Sequence, residues 1–224
     1  MKTIVLSVGG SLICPDDIDT TFLRMLKKLV ISLSRNYTVA IYCGGGGLAR
    51  RYQARARASG KPSPEEVDWV GTIATRLNAQ LVHSLFGGNA HPKVIYNPTK
   101  RINLKKRILV AGGWKPGWST DYDAVLLAKN LGAKSVVNLT NVDYVYDRNP
   151  KKHSDAKPYT QIVWKEFRKI VGTRWSPGLN APFDPVAAGA AMRLKMTVLV
   201  INGSRLTEIR KYLAGKRFVG TLIN

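Results

Sequence analysis

Val39-Ala40-Ile41-Tyr42-Cys43-Gly44-Gly45-Gly46-Gly47-Leu48-Ala49-Arg50-Arg51 reads in three parts. Five apolar residues make a short buried strand, four glycines make a turn, and Leu48 onward opens a helix with arginines on its first turns. The same arrangement stands just upstream. Residues 3 to 8 (Thr-Ile-Val-Leu-Ser-Val) form an apolar run ended by Gly9-Gly10. Asp19 then caps a segment in which Phe22, Leu23, Leu26, Leu29, Val30 and Leu33 recur at helical spacing. Strand, helix, strand, glycine turn and helix within about 50 residues predict an α/β domain with a largely parallel sheet.

Further along, a loop at Gly60 to Pro64 precedes a longer helix opening on Pro64-Glu65-Glu66, where acids suit the positive helix end. Its expected buried side is Val67, Val70, Ile73, Ala74, Leu77, Leu81 and Leu85. Short strands are expected around Lys93 to Tyr96 and Arg107 to Ala111, then a glycine turn at Gly112-Gly113. Asp121 to Gly132 reads as a helix and Ser135 to Leu139 as a strand, with Val142 to Lys157 read as a hairpin. Asp184 to Leu194, Met196 to Ile201, Thr207 to Leu213 and Phe218 to Ile223 alternate helix and strand.

With 224 residues and 45% hydrophobic content, the chain is long enough to bury a core without staples. Its apolar runs fall short of the roughly 20 residues of a membrane span, and Lys2 with the run after it reads as a first strand rather than a signal peptide. Two cysteines, Cys14 and Cys43, have no metal-type spacing and suit a reducing, cytoplasmic setting, although spacing leaves a disulfide between them open. Thirty-five Lys and Arg against 14 Asp and Glu give a net charge of +21, a field that attracts polyanions or reflects the host's solvent and proteome. Charge by itself does not decide function.

The chemistry is carried by the turns. In Ser7-Val8-Gly9-Gly10-Ser11 the glycines allow amides to point at phosphate oxygens, a weak signal when taken singly. Gly44 to Gly47 is stronger, because a helix start favours an anion and Arg50 adds a charged donor; the alternative is a turn with solvated arginines. Neither a Gly-Lys-Ser/Thr ending nor the spaced glycines of a dinucleotide fingerprint is present. Gly112-Gly113-Trp114-Lys115-Pro116-Gly117-Trp118-Ser119-Thr120-Asp121 can hold an acceptor phosphate, with Trp114 and Trp118 as walls, or can simply cap a helix with local tryptophan packing. Asp121 and Asp123 follow closely enough for a role beside Mg²⁺ or in orienting donors.

The most specific string is Thr140-Asn141-Val142-Asp143-Tyr144-Val145-Tyr146-Asp147-Arg148-Asn149-Pro150-Lys151-Lys152. Together with the glycine turns and Pro182-Phe183-Asp184-Pro185, it resembles the amino-acid kinase family, and within it the uridylate kinases of archaeal and small-genome bacterial type. The resemblance covers nearly the whole chain in order. It implies a three-layer α/β/α sandwich around a mainly parallel sheet, as one domain over 1–224, with an acceptor half at about 1–110 and an ATP half at about 111–224. It implies ATP at Ser7, Gly9, Gly10, Ser11, Gly46, Arg50, Thr140 and Tyr146, and UMP at Gly45, Asp68 and Trp114, Lys115, Pro116, Gly117, Trp118, Ser119 and Thr120. A carboxylate at Asp68 suits a ribose hydroxyl; otherwise it is a solvated helix residue.

The same resemblance implies Mg²⁺-dependent transfer of the ATP γ-phosphoryl group to UMP, with Gly10, Arg50 and Asp121 as the catalytic set. No dedicated protein metal site, membrane or obligatory nucleic acid is expected, and the resemblance implies a homo-oligomer, a hexamer. Two positions depart from the family pattern. Ser7 stands where many members carry lysine, and Asn149 where aspartate often precedes proline in the ATP-facing hairpin; Lys151 and Lys152 are placed to offset the lost charge. Two other readings stay open: a kinase of the same fold for a carboxylate, carbamate or isoprenoid phosphate, and a weakly catalytic nucleotide- or nucleic-acid-binding protein.

Overall fold

The computed structural model describes residues 2–150, 152–174 and 181–224. Strand β1 (Thr3–Val8) runs into a short helix α1 (Gly10–Ile13), then α2 (Thr20–Leu33), capped by the Asp19 carboxylate on the amide of Phe22. Strand β2 (Thr38–Cys43) leads through the glycines to α3 (Gly46–Ser59) and α4 (Pro64–Ser84), whose start is a capping box between Ser63 and Glu66. Next come β3 (Ile108–Ala111), α5 (Thr120–Asn130), β4 (Ser135–Thr140), the paired short strands β5 (Val145–Tyr146) and β6 (Pro158–Tyr159), and β7 (Gln161–Ile162). The described chain closes with α6 (Trp164–Val171), α7 (Pro185–Arg193), β8 (Thr197–Asn202), α8 (Thr207–Leu213) and β9 (Thr221–Ile223).

A seven-stranded sheet has the order β3-β2-β1-β4-β8-β9-β7. Its first five strands are parallel, β9 is antiparallel to β8, and β7 is parallel to β9. Alternate side chains go to opposite faces, and both faces are covered. Ile4, Leu6, Val39, Ile41, Ile108, Val137 and Leu199 meet α2, the end of α4 and α8 on one side. Val5, Ala40, Leu109, Val136, Val198 and Val200 meet α5, α6 and α7 on the other. Three α/β/α layers result, as the family resemblance implies.

Some elements differ from expectation. Lys93 to Tyr96 is no strand; Ala90 and Ile95 make single parallel bridges to Ile108 and Ala111. Phe218 and Val219 also stay outside β9, where the Val219 amide goes to Glu208 instead. Helices α1 and α6 and the short β7 are additional. On α4 the apolar pattern holds in part: Val67 and Ala74 are buried and Leu81 and Leu85 pack on the core, but Ile73 and Leu77 are 58% and 59% exposed, while Thr72, Thr75 and Asn78 are buried. The middle of the inward face of α4 carries polar residues because it serves the glycine turns.

Candidate active site

All three glycine turns lie at the carboxyl edge of adjacent parallel strands, where helix starts and open amides collect in such sheets. In the first, the Gly9 amide donates to the carbonyl of Leu139 on the neighbouring strand at 2.9 Å. Gly10 then presses against the second turn so closely that a Cβ on it would collide with the backbone of Gly44, Gly45 and Gly46. A Cβ on Gly46, whose φ of +59° favours glycine in any case, would strike the Gly10 carbonyl. The two turns are thus mutually exclusive of side chains. Arg50, one turn into α3, reaches back with a guanidinium nitrogen 3.4 Å from Ser11 Oγ. Gly10, Ser11, Gly45, Gly46 and Arg50 therefore come together, with backbone amides and one cation and no side-chain bulk between the turns.

From below, α4 fixes this arrangement. Asn78 Nδ2, 2% exposed, donates to the carbonyls of Gly44 at 2.8 Å and Gly45 at 3.2 Å. Three residues earlier Thr75 Oγ1 accepts the Gly113 amide at 2.6 Å, and Arg76 donates to the carbonyls of Gly113 at 3.0 Å and Trp114 at 2.6 Å. One buried helix face therefore sets both the second and the third turn. Asp68, on the same helix, accepts the Gly117 amide at 2.6 Å. Its side chain accordingly shapes the third turn directly.

In that third turn Trp118 stacks on Tyr122 with ring centroids 4.4 Å apart, and Ser119 Oγ accepts the Tyr122 amide as the cap of α5. Trp118 and Ser119 thus show the local packing and capping alternatives, while the Lys115 ammonium lies 4.5 Å over the Trp114 ring. Thr120 and Pro116 belong to the same turn and keep part of their surface or more open.

A row of polar side chains crosses the sheet beneath the turns. Ser7, Tyr42 and Asn138 are register partners on β1, β2 and β4, all on the α5 and α7 side. Each holds a different piece of the loops above. Ser7 Oγ donates to Asp121 Oδ1 at 2.8 Å, Tyr42 Oη to the Gly112 carbonyl at 2.7 Å with Asp123 Oδ2 3.0 Å away, and Asn138 Nδ2 to the Pro182 carbonyl at 2.5 Å. Asp121 Oδ2 also accepts the Asp184 amide, which ties the starts of α5 and α7 together.

Burial pushes the Asp121 carboxyl up to about 6 against the lowering effect of the Ser7 hydrogen bond. Burial likewise pushes Asp123 up to about 7, although it accepts the Trp114 amide at 3.0 Å. Asp123 lies under the third turn rather than in the opening. Its Oδ1 and Asp184 Oδ2 are buried without a hydrogen-bond partner among the described residues.

Thr140, Tyr146 and Asn149 line one cavity of about 350 Å³, together with Tyr144, Ile170 and Pro182. The Val145 amide donates to Thr221 Oγ1, and Asp147 accepts the Lys157 amide, which fixes the hairpin across the sheet edge. Lys152 is exposed, and Lys151 lies outside the described residues. Cys14 and Cys43 are both buried free thiols, so the two are not bridged. Among the described residues no three His, Cys, Asp or Glu side chains gather as a metal cluster.

Sequence reasoning brings forward the turn residues but misses Tyr42, Thr75, Arg76, Asn78 and Asn138. A polar residue inside an apolar strand run, at Tyr42 and Asn138, is the signal that marks two of them. The α4 trio has no such mark, because helices carry polar residues on any face.

Residues 2–202 match the model of the amino acid kinase family. A uridylate kinase of Staphylothermus marinus is 34% identical over 99% of this chain and 98% of its own. One of Methanospirillum hungatei is 35% identical over 100% and 95%. The crystal structure of a uridylate kinase from Archaeoglobus fulgidus superposes with a TM-score of 0.86 at 36% identity, covering both chains completely. A UMP kinase from Ureaplasma parvum shares the fold, with a TM-score of 0.78 at 21% identity over 100% of this chain and 98% of that one. With this sheet order, these interlocked glycine turns and matches along nearly its full length, the chain belongs to the amino acid kinase family, among its uridylate kinases.

Proposed function

We infer that this protein is a UMP kinase, transferring the γ-phosphoryl group of ATP to UMP to give UDP and ADP, a step of pyrimidine nucleotide supply. The observation that carries the reading is the contact between Gly10 and Gly46, which joins two amide-rich turns under Arg50. Such a surface suits a polyphosphate. ATP would lie across the first turn, with its base toward the cavity of Thr140, Tyr146 and Asn149, and UMP between Gly45, Asp68 and the turn from Trp114 to Thr120. Residues from both halves, about 1–110 and 111–224, would then contact each nucleotide.

A UMP phosphate oxygen attacks the γ-phosphorus in line as the bond to the β–γ bridging oxygen breaks and ADP leaves. The phosphate is already a nucleophile, so no general base is needed, and positioning with charge neutralisation carries the rate. Arg50 neutralises charge on the transferred group. Gly10 lets the amides approach it. Asp121, held by Ser7 and the Asp184 amide, keeps β1, α5 and α7 in register about the reacting phosphates. Mg²⁺ would arrive with ATP as part of the substrate and would supply charge neutralisation on its phosphates. Asn149 leaves the hairpin without a charge that relatives often place there.

A homo-oligomer is part of this reading, supported by Trp69, Ile73 and Leu77 standing exposed one turn apart along α4. A cytoplasmic setting is supported by two free buried thiols, and no helix among the described residues is long and apolar enough to cross a membrane. Release of ADP measured across UMP, CMP, AMP, acetylglutamate and carbamate tests the function. UMP- and Mg²⁺-dependent turnover is expected, and turnover with a carboxylate or carbamate instead would overturn it.

A further inference from the structure

Charge is distributed along this chain with a period set by the fold. Residues 20–64, 69–120, 124–142 and 185–207 contain no Asp or Glu. Each of these stretches includes the segment at the amino edge of the sheet that begins β2, β3, β4 or β8, and the first two also run on through the second and third glycine turns. Each brings cations there. Backbone bonds fix their places: the Lys2 carbonyl accepts from Thr38, the Arg107 carbonyl from Val39 and the Lys134 carbonyl from Thr197, while the Arg107 guanidinium reaches the Arg35 carbonyl at 2.6 Å. Lys195 stands just before β8. Lys2, Arg35, Arg107, Lys134 and Lys195 thus mark the starts of five adjacent strands, spanning roughly 19 Å at the usual interstrand spacing.

All five are exposed, and among the described residues none has a carboxylate within ion-pair distance. Glu166, at the start of α6, is taken by Lys169. Lys195 adds a separate observation. It is the one non-glycine residue with positive φ among those described, at 53°, in the turn that ends α7. The matching turn after α5 uses Gly132 at 67°. A lysine in a turn where the backbone favours glycine sets its ammonium at this edge at a conformational cost.

We propose that the amino edge of the sheet is a nucleic-acid-binding face, separate from the nucleotide site on the carboxyl edge, that takes a duplex through its phosphates. A row of unpaired cations without an exposed aromatic among the five suits backbone contact rather than base stacking. The test is fluorescence anisotropy with mixed-sequence 20-base-pair RNA and DNA duplexes from 50 to 200 mM KCl, using the full-length protein. Five phosphate contacts predict weakening by about 500-fold across that range. A variant carrying Lys2→Gln, Lys134→Gln and Lys195→Gln should lose most binding and flatten the salt slope by nearly three, with UMP-dependent ADP release unchanged.

Lys195→Gly alone, which relieves the left-handed backbone, should weaken binding while the melting temperature holds or rises. RNA and DNA binding alike fits phosphate contact, and preference for one identifies the source. Duplex affinity unchanged in the triple variant, or binding of anionic phosphatidylserine vesicles without binding of either duplex, would overturn the proposal.

Discussion

Replacing Asn78 by alanine should unsettle the second glycine turn although Asn78 faces away from the nucleotides. Its amide donates to the Gly44 and Gly45 carbonyls. The Gly45 carbonyl retains the Ala49 amide at 3.2 Å, but among the described residues no other donor reaches that of Gly44. Leaving one buried carbonyl unpaired costs about 1–3 kcal/mol, and losing the second bond adds about 1 kcal/mol, so a stability loss of about 2–4 kcal/mol is expected. Because Gly45 and Gly46 face different nucleotides in the proposed reading, KM should rise for both UMP and ATP. Asn78→Asp separates donor chemistry from shape. At pH 8 it sets an ionised acceptor against two carbonyls and should be worse than alanine. At lower pH the protonated acid donates once and part of the loss should return. Urea unfolding and initial rates at pH 6 and pH 8 measure both effects. An aspartate variant equal to the parent at pH 8 would refute the argument.

Three other outcomes are expected. Asp123 is fully buried and its folded pKa is raised to about 7, so the folded state holds a proton that the unfolded chain releases near 4. Its ionisation therefore lowers stability as pH rises between about 4 and 7, and Asp123→Asn should flatten that fall and gain on the order of 3 kcal/mol at pH 8, read by thermal melts across pH. Arg50→Ala should lower kcat by about 100- to 1000-fold if its charge acts in the transition state, and an equal kcat with only KM for ATP raised would remove it from the catalytic set. Arg76→Lys loses the fork that spans the Gly113 and Trp114 carbonyls, which should raise KM for UMP about 5- to 30-fold with KM for ATP nearly constant.

The fold was legible because its central strands are short apolar runs ended by glycine, and such runs at Thr3 to Val8 and Val39 to Cys43 admit few alternatives. The hairpin's tyrosines and the turn glycines were legible for the same reason, each being a residue type with a narrow range of uses. The polar middle of the inward face of α4 was not. Ile73 and Leu77 have the right spacing for a core, and only the tertiary demand of two glycine turns for donors and acceptors puts Thr75 and Asn78 inside instead. The strand expected at Lys93 to Tyr96 failed because only Ile95 of it pairs, through a single bridge to Ala111, without a continuous ladder. Asp68 came forward only through the family resemblance, and its hold on the Gly117 amide depends on how two distant segments meet.

The mutual exclusion of Gly10 and Gly46 also bears on movement. Two loops in backbone contact, with Asn78 bracing one and Leu139 the other, behave mechanically as a single fixed jaw. Closure over substrates then has to come from other parts of the site, and a hinge sought between the first two turns would not be found.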